Sequence, residues 1–162
     1  MGQKTIRDNL RAEDIAEELL HRTGRVYASK DASLAAGCFL LPQTIETSAG
    51  KCLLETEDDV RQVFENVMDY YAKNDVTEIV RTVVKAEFLD DNTVGATHVS
   101  RLMLSDGSCF RKPYPTYSIL RKTRGGWKLS SSAYAILDSD AHNDALRIQP
   151  SRADAISLGS AR

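Results

Sequence analysis

Cysteine is scarce in this chain, and its placement does not suggest pairing. Among 162 residues there are three, Cys38, Cys52 and Cys109, odd in number, widely spaced and without a C-x-x-C. A disulfide framework and a zinc ribbon are both disfavoured, and free, buried thiols are the expectation. Nine glycines and four prolines, beside 42% hydrophobic and 27% charged residues, are too few for a fibrous or low-complexity chain. The length suits one domain with one core. Neither sign of charge dominates: 21 Lys and Arg stand against 23 Asp and Glu, for a net charge of -2, and there is no basic run. A phosphate backbone or an anionic bilayer would find little to hold, so neither nucleic acid nor membrane is expected as a partner. There is no apolar stretch of the roughly 18 residues that a membrane helix needs, and the charged N-terminus has no apolar leader core. A cytoplasmic, soluble protein is expected. G-x-S-x-G, G-x-G-x-x-G and Walker-type loops are missing too, which disfavours serine nucleophiles, a dinucleotide and ATP. His21, His98 and His142 lie far apart with no Cys or carboxylate at ligand spacing, so neither a metal nor another cofactor is expected.

What is present is clear periodicity. Ile15, Leu19, Leu20, Val26 and Tyr27 form a one-sided stripe between Ala12 and Ala28, as a half-buried helix requires. Asp31 can cap a short second helix with Leu34, Ala35 and Cys38 on one side, ending by Leu41 before Pro42. Residues 43–48 and 52–55 flank Ala49-Gly50 and suit a hairpin. Thr56-Glu57-Asp58-Asp59 resembles a capping box, followed by Val60, Val63, Phe64, Val67, Met68 and Tyr71 at helical spacing. From Asp75 the period becomes 2, in four runs over 77–89, 93–104, 109–121 and 127–137, separated by short turn-forming segments. These runs predict an antiparallel meander that must curl, because its strands far exceed the usual five or six residues. Pro113 and Pro115 mark an edge, a bulge or a strand entry. An α+β layout follows, with helices covering one face of the sheet. Residues 1–11 read as an arm, 12–137 as the domain, and 138–162, where periodicity is lost, as a tail available to fold over the domain or a partner.

This order of elements, with Tyr27-Ala28-Ser29-Lys30-Asp31, Phe39, Thr44-Ile45-Glu46, Gly50, Asp106-Gly107 and Gly125-Gly126-Trp127-Lys128-Leu129, resembles the nuclear transport factor 2-like superfamily, in its bacterial SnoaL-like branch. The resemblance implies a cone-shaped, cystatin-like α+β fold, a curved antiparallel sheet with three helices packed on its concave face. It also implies a pocket beneath the first helix and a homodimer through the outer sheet face. The superfamily hosts isomerases, cyclases, hydrolases, dehydratases and non-catalytic binding modules, so the fold alone does not decide a reaction. Ketosteroid isomerase-like members carry a Tyr on the first helix and two Asp on strands. Counting without gaps from Asp31 and Phe39 brings Thr23, Thr47 and Ser118 to those places. Hydroxyls cannot act as the poised general base, which rejects that mechanism and leaves the three as ligand-facing candidates. An epoxide hydrolase-like acid pair would need inward carboxylates, and Glu78 is the one strand acid weighed, in phase with Val80, Thr82, Val84, Ala86 and Phe88; a solvated strand-end carboxylate is the stronger reading of it.

His98 is the best catalytic candidate, as a near-neutral titrating group in a strand whose face-mates Ala96, Ser100, Leu102 and Leu104 look inward. A surface or interface histidine is the competing reading. Tyr27 could send its hydroxyl into the pocket or be plain core. Tyr114, Thr116 and Ser118 share a face with Leu120 and would orient a small ligand if that face is inward; if Tyr117, Ile119 and Trp127 fill the interior instead, they are outer-face hydroxyls. Two functions fit. One is a homodimer that binds a small, mostly apolar molecule in the cone, with a proton-transfer or hydration step by His98 and Tyr27, Thr116 or Ser118 if it is catalytic. The other is a non-catalytic interaction module or accessory subunit.

Overall fold

The computed structural model describes residues 10–148. Residues 1–9 of the expected arm and 149–162 of the expected tail lie outside that part. Helix α1 spans Ala12–Ser29, with Ile15, Leu19 and Val26 of the stripe buried together with Ala12, Ala16 and Thr23. A 3₁₀ helix follows over Ala32–Cys38, capped by the Asp31 carboxylate, which accepts from Ser33 N–H at 3.1 Å. Three residues per turn bring Ala32, Ala35 and Cys38 inward, and Leu34, expected inward on an α-helical period, is 54% exposed. The segment becomes strand at Phe39 instead of running on to Leu41. Strands β1 (Phe39–Thr47) and β2 (Gly50–Leu54) form the hairpin, with Gly50 at φ +121°. Helix α2 (Glu57–Lys73) opens on the capping box: Thr56 Oγ1 accepts from Asp59 N–H and Asp59 Oδ2 from Thr56 N–H, both at 3.1 Å. Its stripe Val60, Val63, Phe64, Val67 and Tyr71 is buried.

Strands β3 (Val76–Asp90), β4 (Thr93–Leu104), β5 (Cys109–Thr123) and β6 (Gly126–Tyr134) form the meander. The sequence predicts this meander beside a separate hairpin, but the two are one six-stranded sheet in the order β2-β1-β6-β5-β4-β3. They join because β1 pairs in parallel with β6. Parallel neighbours are never linked by a tight turn, so no local signal announces them. The long strands are broken by bulges: Val84 in β3, a wider one around Arg111–Pro113 in β5 opposite Arg101, and Ser130 in β6. The β5 bulge holds Arg111 at φ +60° and takes up Pro113, whose missing N–H is harmless there. Pro115 stays in register, opposite Val99, where β6 has already ended.

The curved sheet wraps α1 and α2, which lie on its concave face, and the core is shared between these helices and the strands. Beyond the meander, helix α3 (Asp140–Ala145) packs against α2. Ile136, His142, Asn143, Ala145 and Leu146 are buried. Asn143 Nδ2 donates to Ile136 O at 3.0 Å and to Ser48 Oγ at 2.9 Å, tying this segment to the hairpin. Loss of periodicity after residue 137 therefore marks a closing helix over 140–145. Among the described residues no helix is long and apolar enough to cross a membrane, and no group of three His, Cys, Asp or Glu could hold a metal.

Candidate binding cavity

Paired residues on one face of a sheet lie side by side, so the concave face is made of rows that run across the strands. The first row is Arg81, Ser100 and Tyr114. Two residues along come Val83, His98, Thr116 and Tyr134, then Ala86, Ala96, Ser118, Ser132 and Ile45. The last is Phe88, Val94, Leu120, Leu129 and Phe39. Polarity declines steadily from the first row to the last. Between this face and the helices is a cavity of about 70 Å³, roofed by Leu19, Thr23 and Tyr27 of α1 and Val60, Val63, Phe64 and Tyr71 of α2. Gln43 lines one flank and Leu146, just past α3, another. The volume is about half that of the ~150 Å³ engineered cavities that take benzene, so the empty space is slim.

Of the residues expected to face a ligand, Thr23, Tyr27, His98, Tyr114 and Ser118 line the cavity. Thr23 spends its hydroxyl on its own helix, donating to Leu19 O at 3.1 Å, and offers the cavity mainly its methyl. Ser118 Oγ is 3.3 Å from Ser132 Oγ. Thr116 is buried with its hydroxyl unpartnered, yet it is not part of the cavity wall. Thr47 is a correction: it ends β1 next to the hairpin turn, where Oγ1 accepts from Ala49 N–H at 3.1 Å, and the β1 residues that line the cavity are Phe39, Gln43 and Ile45. The inward reading of Tyr114, Thr116 and Ser118 is the observed one, with Tyr117 on the outer face. Glu78 is the solvated strand carboxylate of the stronger reading, exposed on the outer side with Val80, Thr82 and Val84. The bulge at Val84 inverts the alternation, so Ala86 and Phe88 face inward while upstream the inward residues are Ile79, Arg81 and Val83.

Arg81 is thus the residue that the sequence reading missed, although its phase with Ile79 and Val83 is a visible signal. Its Nη2 donates to Leu20 O at 2.7 Å, and the guanidinium lies over the Tyr27 ring, 5.8 Å from the centroid. Gly24, unfavourable in a helix interior by about 1 kcal/mol, leaves room for this approach. A Cβ there would stand 3.3 Å from Arg81 Nη2. Gln43, Tyr71 and Tyr134 were likewise not foreseen as cavity residues.

The electrostatics follow from burial and from this one cation. Burial, with help from Arg81, lowers His98 to about 4, so the imidazole is neutral near pH 7. Burial raises Tyr114 to about 12, and it lifts Tyr27, Tyr71 and Tyr134 above the ordinary phenol range. All four phenols therefore keep their protons. Among the described residues no acidic side chain lines the cavity. The arrangement offers many hydrogen-bond donors, few acceptors and no strong base.

Such a roofed cone has known counterparts. A family model described as NTF2-like protein (DUF6841) matches residues 12–135. The chain belongs to this NTF2-like family. Solved structures agree on the fold of the NTF2-like domain. A Nostoc punctiforme domain of unknown function with a cystatin-like fold is 13% identical with a TM-score of 0.65, covering 98% of each chain. An NTF2-like protein with a cystatin-like fold from Novosphingobium aromaticivorans is 16% identical with a TM-score of 0.59, covering 91% of this chain and 100% of its own. An NTF-2 like protein of unknown function from Shewanella oneidensis is 10% identical with a TM-score of 0.57, covering 76% of this chain and 98% of its own. Among curated proteins none matches the chain significantly. The SnoaL-like branch is a finer placement that rests on the sequence resemblance.

Proposed function

We propose that this NTF2-like domain binds a small, mostly apolar molecule inside the cone. The observation that carries this reading is the cavity beneath α1, with apolar side chains over most of its wall and polar groups converging toward one end. Because the space is slim, an occupant is a narrow chain or a single ring that displaces lining side chains. If a reaction takes place there, the buried neutral His98 and the protonated phenols polarise a carbonyl or hydroxyl; proton abstraction by His98 is disfavoured, since so weak a base holds its proton only near pH 4.

The test uses toluene and 1-hexanol with the purified protein. Binding in the cone raises the unfolding midpoint with ligand concentration, since a ligand held only by the folded state stabilises it by about 2.7 kcal/mol at a hundred times its dissociation constant. Methyl resonances of Leu19 and Leu120, which line the cavity, should shift, and those of exposed Leu34 and Leu137 should not. Shifts confined to the exposed leucines would overturn the reading.

A second surface supports self-association. Val80, Val84 and Tyr117 are exposed on the outer face of the sheet, where a homodimer interface is proposed.

A further inference from the structure

The four ion pairs of the described residues all lie within helical turns on exposed surface, and none involves Arg81. Arg81 is half-buried, and its one hydrogen bond among the described residues is the Nη2 donation to Leu20 O. A guanidinium has five donors in a fixed fork, so most of its capacity is unspent. Among the described residues no carboxylate lines the cavity, and Glu17, beside the open groove between α1 and β3 that Arg81 also borders, makes no ion pair with it. Its paired neighbour Ser100 and, one strand further, Tyr114 place two hydroxyls in the same row. A half-desolvated cation beside hydroxyl donors, with no carboxylate paired to it, is an incomplete arrangement that an anion completes.

The rest of the wall says what is attached to that anion. From Tyr114 to Leu120 along β5 is about 20 Å at the usual strand rise. Over that length the rows pass from the Arg81 end to Leu120, Leu129 and Phe39, all of which line the same cavity. A slim space that is cationic at one end and apolar at the other matches a narrow amphiphile.

We propose that the cone selects a small carboxylic acid with an unbranched apolar chain, its carboxylate on the Arg81 guanidinium and its chain directed toward Leu120 and Leu129. A planar carboxylate fits the two-pronged donor face of Arg, and a single negative charge balances the single cation. This inference rests on the reading of the cone as a small-molecule site and adds to it the head group.

The test is calorimetric titration of the intact protein with octanoate and with octanamide at pH 7, repeated on Arg81→Met, which keeps the stem and removes the charge. The expected result is at least ten-fold tighter binding of octanoate than of octanamide to the wild type. In Arg81→Met that preference disappears through loss of octanoate affinity, with octanamide affinity little changed. Arg81→Lys keeps the charge without the fork and should retain part of the preference. Equal affinities of the two probes for the wild type would overturn the acid-selective site while leaving a cone that binds apolar molecules. A preference that survives Arg81→Met would place the anion elsewhere and overturn it too. If octanoate, octanamide, toluene and 1-hexanol all fail to bind the wild type, the cone-binding reading falls, and this inference falls with it. Equal wild-type affinities overturn the inference even if Arg81→Met fails to fold, and in that case Arg81→Lys locates the head group: a weakened preference supports Arg81, and an unchanged one overturns it.

Discussion

Two imidazoles are kept neutral by the fold, for the same reason, one in the sheet and one in a helix. His98 points into the cavity, and His142 of α3 is 2% exposed, stacked on Tyr70 with ring centroids 4.9 Å apart. Burial lowers both to about 4; Arg81 adds to the effect at His98, whereas at His142 Asp138 opposes it and Arg111 reinforces it. An unfolded chain would bind these protons near the ordinary histidine value of about 6.5. Between that value and about 4 the unfolded state therefore holds more protons than the folded one. The stability that the neutral rings contribute is fully present above pH 6.5 and is lost as the pH falls through this window. At about 1.4 kcal/mol per unit, each ring accounts for on the order of 3 kcal/mol. Urea unfolding between pH 7.5 and 4 should show this loss, and His98→Gln should remove roughly one proton's worth of the slope. A slope unchanged in the variant would mean that His98 titrates normally in the folded state.

The helices and strands differ in how openly their residues announce them. In α2 the capping box and the stripe from Val60 to Tyr71 are both explicit, and both are observed. Thr56→Ala removes the acceptor for Asp59 N–H and should cost about 1 kcal/mol, measurable as a lower unfolding midpoint. The 3₁₀ segment and β3 were less legible, because one residue of phase decides a whole face. An α-helical period places Leu34 inward where the 3₁₀ turn brings it out, and the bulge at Val84 breaks the phase that sets Glu78 with Ala86 and Phe88 and so hides Arg81. β4 has no bulge between Val94 and Ser100, which is why the inward placement of His98 could be read from alternation alone. Thr47 shows the limit of counting along a resemblance, since the true inward positions stop before the strand meets its turn. A glycine on the outer face gives another strand-level test. A Cβ at Gly95 would collide with the Tyr117 hydroxyl and stand 3.2 Å from its ring carbon Cζ. Gly95→Ala should therefore destabilise the sheet, and Tyr117→Ala in the same chain should recover most of that loss. Additive losses would show that the cost at Gly95 does not come from the Tyr117 ring.

For the whole molecule, closure of the cone and the proposed dimer make opposite demands on one sheet. The concave face needs a bulged, curled ribbon to wrap α1 and α2, and the outer face needs a continuous surface for a second copy. The bulge at Val84 serves both. It turns Arg81 into the cavity and pushes the Val84 side chain outward, where it is 59% exposed beside Val80 at 38%. Tyr117, 43% exposed and lying over Gly95, extends that patch from the edge strand β3 to the centre of the sheet. Burying three such side chains favours association, and a lysine at either Val84 or Tyr117 would bring an unpaired charge into the interface. Val84→Lys combined with Tyr117→Lys should convert a dimer in sedimentation into a monomer whose far-ultraviolet circular dichroism is unchanged. Cavity binding should persist in that monomer, because no outer-face residue lines the cone. A wild type that sediments as a monomer at tens of micromolar would remove the proposed interface and leave the cavity untouched.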